Sequence, residues 1–369
     1  MKETVSPNMI ALRWSMRYIS DIERRRSGNM NNNQPIIIAE AGVNHNGDLG
    51  MAKELVRVAA EAGVDYVKFQ TFSADRLVTR SAKRAEYQKR NIRGDGDDSQ
   101  YAMLKKLELS PDDHFELMAT CKAHGIKFLS TAFDQESLVF LAKEVDVDYV
   151  KVPSGELTNL PLLRLTATLG KPVLLSTGMA ELTEVVESVN YLVKSGMDTN
   201  DICLLHCTTE YPAPFSTANL RAMDTMARAT GCKVGYSDHT MGIEVAVAAT
   251  AMGAVVIEKH FTLDRTLPGP DHPASLEPDE LKQLVKAVHA VHAALGDGIK
   301  KPADGSELAN RDIVRKSIVA ACHIEPGDVF SEANLTTKRP GTGISPMLWY
   351  DVVGKVAKRR FDENDMIEL

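Results

Sequence analysis

The sequence predicts an α/β protein: a TIM (β/α)8 barrel followed by a small, mostly β C-terminal domain. Short apolar segments alternate with helix-like segments from Pro35 onward. The alternation continues for roughly 260 residues, which is the usual size of such a barrel. After Gly296-Asp297-Gly298 the alternation stops and a polar stretch begins. An open doubly wound sheet is the competing fold, but no GxGxxG segment follows the first strand, so the barrel is favoured.

Residues 1–34 come before the alternating pattern and are polar and irregular. They lack the apolar segment and the small-residue cleavage site of a secretory signal peptide. We therefore expect a disordered N-terminal extension. Met30 is an alternative start, which leaves open whether the residues before it are translated.

The barrel is expected to span residues 35–297. Its strand candidates are short runs rich in Ile, Val and Leu, as is typical of strands buried on both faces of a parallel sheet. They are residues 36–41, 66–71, 127–131, 149–153, 173–177, 202–207, 233–236 and 254–258. The clearest helix candidates between and after them are residues 50–62, 111–124, 134–145, 182–195 and 278–295. Ser110 followed by Pro111 is typical of a helix start, with serine as the cap.

A polar linker is expected at residues 298–311 and a separate domain at residues 312–369. The last segment has short β-like runs at 317–321 and 356–357, with turns rich in Pro and Gly. A domain of this size is marginal in stability when it stands alone. We therefore expect it to dock on another surface.

Composition narrows the class of function. A formal net charge of −7 argues against general nucleic-acid binding, although a few cations in one cleft would still suffice for a small anionic substrate. No apolar run approaches the length of about 20 residues that a membrane-spanning helix needs. The 5 cysteines include no CxxC pair and are odd in number, which fits a reducing compartment. We therefore expect a cytoplasmic protein.

Two histidines lie at the carboxyl ends of neighbouring predicted strands, His239 in GYSDHT and His260 in EKHFT. In a barrel these ends meet at one mouth. Imidazoles with nearby carboxylates, here Asp238, Glu258 and Asp271, commonly hold a divalent metal ion. The alternative is a pair of hydrogen-bonded strand-end residues without a metal.

Lys68 and Lys151 lie inside predicted strands, where lysine is rare unless it is paired. They call for an anionic partner. Strand-end hydroxyls could complete a phosphate site with them, although each hydroxyl taken alone is more simply a turn or cap residue. These hydroxyls are Thr131, Ser154, Ser176 and Ser237. A Schiff-base aldolase would leave the histidines without a role, and a metal-dependent hydrolase would leave the lysines without one.

Several longer motifs are similar to those of the sialic acid synthase family. They include IAEAGVNHNGD (38–48), KVPSGE (151–156), LSTGM (175–179), HCTTEYPAP (206–214), EKHFTLDR (258–265) and KRPGTGIS (338–345). The resemblance covers the chain from about residue 35 onward. It implies a metal-dependent barrel with an antifreeze-like SAF (β-clip) domain, in domain-swapped homodimers. It also implies condensation of phosphoenolpyruvate with an open-chain N-acyl hexosamine to give a nonulosonic acid.

The resemblance also implies roles for single residues. The expected metal ligands are His239 and His260, with Mn²⁺ usual and Mg²⁺ or Co²⁺ as alternatives. The expected phosphoenolpyruvate ligands are Lys151, Thr131, Ser154, Ser176 and Ser237. Glu40, Lys68 and Gln70 would lie near the reacting carbons, with Glu156 as the acid/base carboxylate. Tyr211 and Asp271 would face the sugar, and Arg339 of the second subunit would reach its acyl group.

One departure concerns the acceptor sugar. Many N-acetylneuraminate synthases have asparagine where this chain has Thr209. The TTEYPAP, ASLEP and NLTTKRP segments are more similar to legionaminic acid synthases, which favours a 2,4-diacetamido-2,4,6-trideoxymannose acceptor. N-acetylmannosamine is the alternative acceptor. A metal-dependent aldolase or hydrolase is more remote, as is ice binding through the tail domain.

Overall fold

The computed structural model describes residues 34–92, 99–303 and 305–369. The predicted N-terminal extension and the alternative start at Met30 lie outside the described residues, apart from Gln34. The chain divides into two compact units between Gly296 and Asp297. Among the helices of the described residues, none combines the length and apolar character needed to cross a lipid bilayer.

The first unit is a closed barrel of parallel strands, which confirms the predicted fold. The strands are β1 (Ile36–Gly42), β2 (Tyr66–Thr71), β3 (Lys127–Ala132), β4 (Val150–Val152), β5 (Val173–Ser176), β6 (Ile202–His206), β7 (Lys233–Asp238) and β8 (Val256–His260). Each pairs with its neighbours in sequence, and β1 pairs with β8 to close the ring. β7 and β8 extend beyond their predicted ends, because Ser237 pairs with Glu258 and Asp238 pairs with Lys259.

Helices connect the strands and cover the barrel. They are α1 (Leu49–Ala62), α2 (Ala74–Leu77), α3 (Glu86–Asn91), α4 (Gln100–Lys105), α5 (Pro111–His124), α6 (Gln135–Lys143), α7 (Leu160–Thr168), α8 (Leu182–Lys194), α9 (Ala222–Thr230), α10 (Glu244–Ala251) and α11 (Pro278–Leu295). α5 begins as the sequence predicts: the Ser110 hydroxyl accepts from the Asp113 amide, and the Asp113 carboxylate accepts from the Ser110 amide. These reciprocal bonds satisfy two amides that a helix start leaves unpaired.

The barrel core consists of the strands and the inner faces of the helices. One cluster joins Val67 of β2 to Leu55 of α1 and Leu284 of α11, all fully buried. A second joins Leu204 of β6 to Leu192 of α8. The strands are buried on both faces, which accounts for their continuous apolar sequences.

An insertion between β2 and α5 carries the short helices α2, α3 and α4. The sequence analysis did not predict these helices, because each is too short to show a helical apolar period. The insertion has its own apolar cluster, which includes Phe72, Met103, Leu104 and Leu107 together with Val43 from the loop after β1.

The second unit holds α12 (Ser306–Val314), β9 (Ser317–Ala320), β10 (Leu335–Lys338) and α13 (Trp349–Val352). β9 and β10 form an antiparallel pair over a core that includes Ile318, Phe330 and Phe361. The predicted run at 317–321 contains β9, whereas the run at 356–357 forms only an isolated bridge through Val356. The predicted linker is helical from Ser306 onward. Glu307 lies in the first turn of this helix and Arg311 in the last, where their charges interact favourably with the helix dipole.

Candidate active site

A cavity of about 670 Å³ lies at the carboxyl ends of the barrel strands. Every barrel residue predicted for the site lines it. These residues are Glu40, Lys68, Gln70, Thr131, Lys151, Ser154, Glu156, Ser176, Thr209, Tyr211, Ser237, His239, His260 and Asp271. Arg339 belongs to the second unit, where it directly follows β10 and is exposed.

Strand geometry explains this convergence. Side chains two residues apart on a strand share a face, so Lys68 and Gln70 of β2 both point into the barrel, as do Glu258 and His260 of β8. Glu40 of β1 is in register with Lys68 on one side and with His260 on the other. The closed ring therefore brings residues from distant parts of the chain to one layer.

Two lysines and two glutamates form a buried ionic network on the cavity floor. Lys68 Nζ lies 2.6 Å from Glu40 Oε2 and 3.6 Å from Glu258 Oε2. Lys151 Nζ lies 3.7 Å from Glu258 Oε1. Because no side chain of the four is more than 5% exposed, their charges interact with little solvent screening. Glu258 thus bridges the two lysines.

The network shifts the pKa values of its members in different directions. Burial raises the pKa of Glu258, but Lys151, Lys68 and the Ser237 hydroxyl outweigh burial and lower it to about 2. Burial raises the pKa of Glu40, with Lys68 opposing the shift and Glu258 adding to it. Burial also lowers the pKa of Lys151, against the opposing effect of Glu258. Glu258 is therefore the stable anion of the pair, and Glu40 the carboxyl that is more readily protonated.

Hydroxyl groups hold the two lysines in place. Lys151 Nζ donates to Ser176 Oγ at 2.7 Å, and Lys68 Nζ donates to Thr131 Oγ1 at 2.8 Å. Ser237 Oγ donates to Glu258 Oε1 at 2.9 Å. Ammonium and hydroxyl donors at one floor are a suitable surface for a multiply charged anion.

Ser154 reaches this floor because position 178 is glycine. Its Oγ accepts from the Gly178 amide at 3.0 Å and lies 3.3 Å from Cys207 Sγ. A Cβ at position 178 would lie 2.8 Å from Ser154 Oγ and 2.5 Å from Thr209 Cγ2. Any side chain there would therefore displace these neighbours.

The two histidines face each other with ring centroids 5.4 Å apart. His239 Nδ1 donates to the Thr208 carbonyl at 2.5 Å, so the lone pair is on Nε2, which lies 3.4 Å from Ser237 Oγ. His260 Nδ1 is buried without a hydrogen-bond partner, 3.8 Å from Asp271 Oδ2. Burial lowers the pKa of His239 to about 4 and holds the pKa of His260 well below its usual range, so both rings are neutral near pH 7.

Neutral imidazoles, each with an unprotonated ring nitrogen, fit a transition metal, and the hydrogen bond to Thr208 is of the kind that orients a ligating histidine. Across residues 34–92, 99–303 and 305–369, no three His, Cys, Asp or Glu side chains converge as a complete ligand set. A metal held by His239 and His260 would thus keep positions for oxygen ligands of substrate and water.

Aromatic rings cover the histidine side of the cavity. The Tyr211 ring lies 4.1 Å from the His239 ring and 5.5 Å from the His260 ring, between centroids. Tyr87 of α3 packs on Tyr211 at 4.9 Å. The insertion is fastened here, since Asn91 Nδ2 donates to the Pro270 carbonyl at 2.7 Å.

One side of the cavity is apolar, and we call it the apolar wall. Its residues come from the loop after β1, from the insertion and from the loop after β3. They are Val43, Phe72, Leu77, Val78, Met103, Leu104, Leu107 and Phe133. A ligand in this cavity therefore meets a hydrocarbon surface as well as charged groups.

Two further carboxyl groups differ in setting. Burial raises the pKa of Asp271 to about 7, and Glu40 adds to the shift. Glu156, in the 3-10 turn Ser154–Glu156, accepts a hydrogen bond from Asn159 and is only partly buried. Both line the cavity.

Sequence reasoning missed several lining residues. Glu258 was considered as a carboxylate near the two histidines, but its contacts with both lysines were not predicted. Cys207 is buried and also lines the cavity. No sequence pattern indicated Tyr87 or the apolar wall, because the insertion has no regular spacing of apolar residues.

Comparisons with known proteins follow the two units. The model of the NeuB family matches residues 55–300, and that of the SAF domain matches residues 315–368. The N,N'-diacetyllegionaminic acid synthase of Campylobacter jejuni is 52% identical over 332 residues, covering 90% of this chain and 98% of that protein. The enzyme of the same name from Legionella pneumophila is 49% identical, covering 86% of this chain and 89% of its own.

A solved structure is also similar. It is the N-acetylneuraminic acid synthetase from Leptospira borgpetersenii in complex with citrate, with a TM-score of 0.66 and 35% identity. The match covers 76% of this chain and 91% of that one. The second unit, with its antiparallel β9–β10 pair, corresponds to the SAF match, as the sequence predicted.

Proposed function

Because this chain belongs to the NeuB family and ends in a SAF domain, we propose that it condenses phosphoenolpyruvate with an open-chain N-acyl hexosamine. The favoured acceptor is 2,4-diacetamido-2,4,6-trideoxymannose, and the products are N,N'-diacetyllegionaminate and phosphate. The observation that carries the proposal is the single cavity in which two buried lysines, two buried glutamates and a histidine pair converge. The two relatives near 50% identity support the choice of acceptor.

Phosphoenolpyruvate would bind at the floor of the cavity. Its phosphate and carboxylate would accept from Lys151 and from the hydroxyls of Thr131, Ser154 and Ser176. Ser237 would donate as well once its hydroxyl proton turns from Glu258 to the ligand. Many donors around one anion offset the loss of its hydration. Lys68 would lie beside the reacting carbons, with Glu40 and Gln70 as its neighbours.

A divalent metal, with Mn²⁺ favoured, would bind to His239 and His260. Two imidazoles suit a transition metal such as Mn²⁺ or Co²⁺ better than they suit Mg²⁺, which prefers all-oxygen sites. Bound there, the metal would supply a Lewis acid to the C1 aldehyde of the acceptor.

In the reaction, C3 of phosphoenolpyruvate attacks the aldehyde carbon, and a C–C bond forms while positive charge develops at C2. Water then adds to C2, and the tetrahedral intermediate releases phosphate by C–O cleavage. Water loses one proton on adding to C2, which balances the proton that the aldehyde oxygen gains. Its second proton leaves with the phosphate as the C2 carbonyl forms. Glu156 would accept a proton from the water, and the buried anion Glu258 would stabilise positive charge nearby.

The apolar wall supports a deoxygenated, acetylated acceptor. The methyl at C6 and the acetamido methyls of the favoured sugar can lie against hydrocarbon, whereas the additional hydroxyls of N-acetylmannosamine would lose their hydrogen bonds there. Tyr211, Asp271 and Thr209 would contact the polar side of the sugar.

Arg339 would complete the site from a second subunit, in a domain-swapped homodimer. It is exposed beside Pro340 and Gly341, and a guanidinium is suited to a carbonyl target.

All cysteines of the chain are free thiols, which supports a reducing, cytoplasmic location.

The test of the proposed function is to offer the two sugars separately with phosphoenolpyruvate and Mn²⁺ and to compare kcat/KM. We expect the 2,4-diacetamido sugar to be preferred by at least tenfold, equivalent to about 1.4 kcal/mol. A preference of that size for N-acetylmannosamine would replace the legionaminate assignment with the neuraminate one. Absence of phosphate release with either sugar would refute the reaction class.

A further inference from the structure

A fully buried ion pair lies just outside the cavity and takes no part in the proposed chemistry. Lys259 lies between Glu258 and His260 on β8, so its side chain points to the opposite face of the strand. Its Nζ lies 2.8 Å from Asp238 Oδ2, and both side chains are 0% exposed. Asp238 is its register partner on β7 and directly precedes His239.

The pair holds the main chain on both sides of His239. Besides Asp238, Lys259 Nζ donates to the Thr240 carbonyl at 2.5 Å. The other oxygen of Asp238 accepts from the Thr240 amide at 2.9 Å and from the Thr240 hydroxyl at 2.8 Å. The His239 carbonyl itself accepts from the Ala213 amide at 2.8 Å.

The other end of this arrangement is His260, the next residue after Lys259. A single cation thus links the strand that carries one imidazole to the residues that flank the other. A buried ion pair contributes little net stability compared with a well-packed apolar pair of the same volume. Its directional bonds, however, allow far less change in the relative position of two main chains than apolar contacts do.

We propose that Asp238 and Lys259 are positioning residues that set the distance and direction between the imidazoles of His239 and His260. The inference rests on the proposed metal site, because that pair of rings is what the arrangement aligns. Without the ion pair the β7 end is free to shift, and the metal affinity falls.

The experiment measures Mn²⁺ binding by isothermal titration, together with kcat and KM, for Lys259→Met and Thr240→Val. Thr240→Val removes one bond to Asp238, keeps the shape, and serves if Lys259→Met does not fold. We expect Mn²⁺ affinity to fall on the order of 10- to 100-fold in Lys259→Met and by less in Thr240→Val. Losses of this size are typical when residues that support metal ligands are replaced. We expect kcat to fall while the KM for phosphoenolpyruvate stays within about twofold.

The matched control is Leu192→Ala, which destabilises the same barrel from α8, in the second apolar cluster. At an equal loss in Tm it should bind Mn²⁺ as the unaltered protein does. Equal Mn²⁺ affinity and kcat in Lys259→Met and in this control would overturn the inference, and so would an unchanged affinity in a folded Thr240→Val when Lys259→Met is insoluble. If the unaltered protein turns over without binding any metal, the proposed metal site fails instead. In that case the comparison of kcat alone decides the inference: kcat must be lower in Lys259→Met than in Leu192→Ala.

Discussion

Lys68 and Glu40 face each other across adjoining barrel strands with Nζ and Oε2 2.6 Å apart, and neither side chain is more than 3% exposed. Lys68 also lies near Glu258, so it serves two carboxylates, whereas Glu40 has Lys68 as its close cation. Loss of Lys68 would therefore remove a cation from two buried carboxylates, whereas loss of Glu40 would leave Lys68 with Glu258.

This asymmetry predicts unequal effects on stability. Lys68→Met leaves two buried glutamates without that cation, and the free energy of unfolding should fall by about 3–5 kcal/mol. Glu40→Gln leaves Lys68 with Glu258 and Thr131, so its loss should be clearly smaller. Urea unfolding of both variants at pH 7 measures this. An equal or larger loss for Glu40→Gln would show that Glu258 does not share the lysine.

Lys151→Met should weaken the use of phosphoenolpyruvate by on the order of 2–5 kcal/mol in kcat/KM, because it removes a desolvated cation from the phosphate site. Steady-state kinetics with the acceptor at saturation measure the effect. Lys127→Met, which lies at the opposite end of the barrel beside Asp148, is the matched control and should behave as the unaltered enzyme. Unchanged kcat and KM in Lys151→Met would remove Lys151 from the donor site.

Chelation should abolish turnover, and Mn²⁺ should restore it. The reason is that two neutral imidazoles, one with an unpartnered buried nitrogen, offer ligand positions. A His239→Ala, His260→Ala double variant should stay inactive at all Mn²⁺ concentrations. Full activity of that variant, or of the enzyme in excess chelator, would rule out metal dependence through these residues.

Mixing two inactive chains tests the assembly. In a swapped dimer of an Arg339→Ala chain and a His239→Ala chain, one barrel has both residues intact. After random exchange the activity should therefore recover to about a quarter of that of the unaltered enzyme. Subunit exchange is followed separately with a labelled chain. If exchange occurs and activity does not return, Arg339 acts within its own chain or has no role.

A further prediction concerns acid stability. Asp134 accepts from the Ser137 amide at 2.9 Å and from its hydroxyl at 2.7 Å, and it pairs with Arg76. Burial raises its pKa, but these bonds outweigh burial and lower it below the ordinary 3.8. The contribution to stability is thus complete above that value and is lost as the pH falls through the lower, folded-state pKa.

At pH 7, Asp134→Ala should lower the free energy of unfolding by about 1–2 kcal/mol. Below pH 3.8, the unfolded-state value, the difference between the two proteins should shrink as acid is added. Urea unfolding across this range measures it. A difference that is constant down to the acid limit would mean that the carboxylate charge is not involved.

The barrel and most of its site followed from the sequence because both depend on local patterns. β2 and α11 have the predicted bounds, since an apolar run or a capped amphipathic segment defines each. The strand-end residues converge because parallel strands of a closed barrel all end at one rim.

What the sequence did not reveal depends on contacts between distant segments. The insertion that carries Tyr87 has helices too short for a period, and its wall exists only through packing on Val43 and Phe133. The bridging role of Glu258 requires the positions of both lysines, which come from β2 and β4. Neither the apolar wall nor the position of Glu258 between the two lysines can be deduced from spacing along the chain.

The pairing of β1 with β8 has a kinetic consequence. The site draws residues from both strands of this seam, with Glu40 beside His260, yet these strands lie at opposite ends of the barrel sequence. Contacts between such distant segments form late, because loop closure must come first. During refolding from denaturant, the helical signal should therefore recover before the ability to bind ligand. The time at which activity returns then indicates when β1 pairs with β8 and closes the barrel.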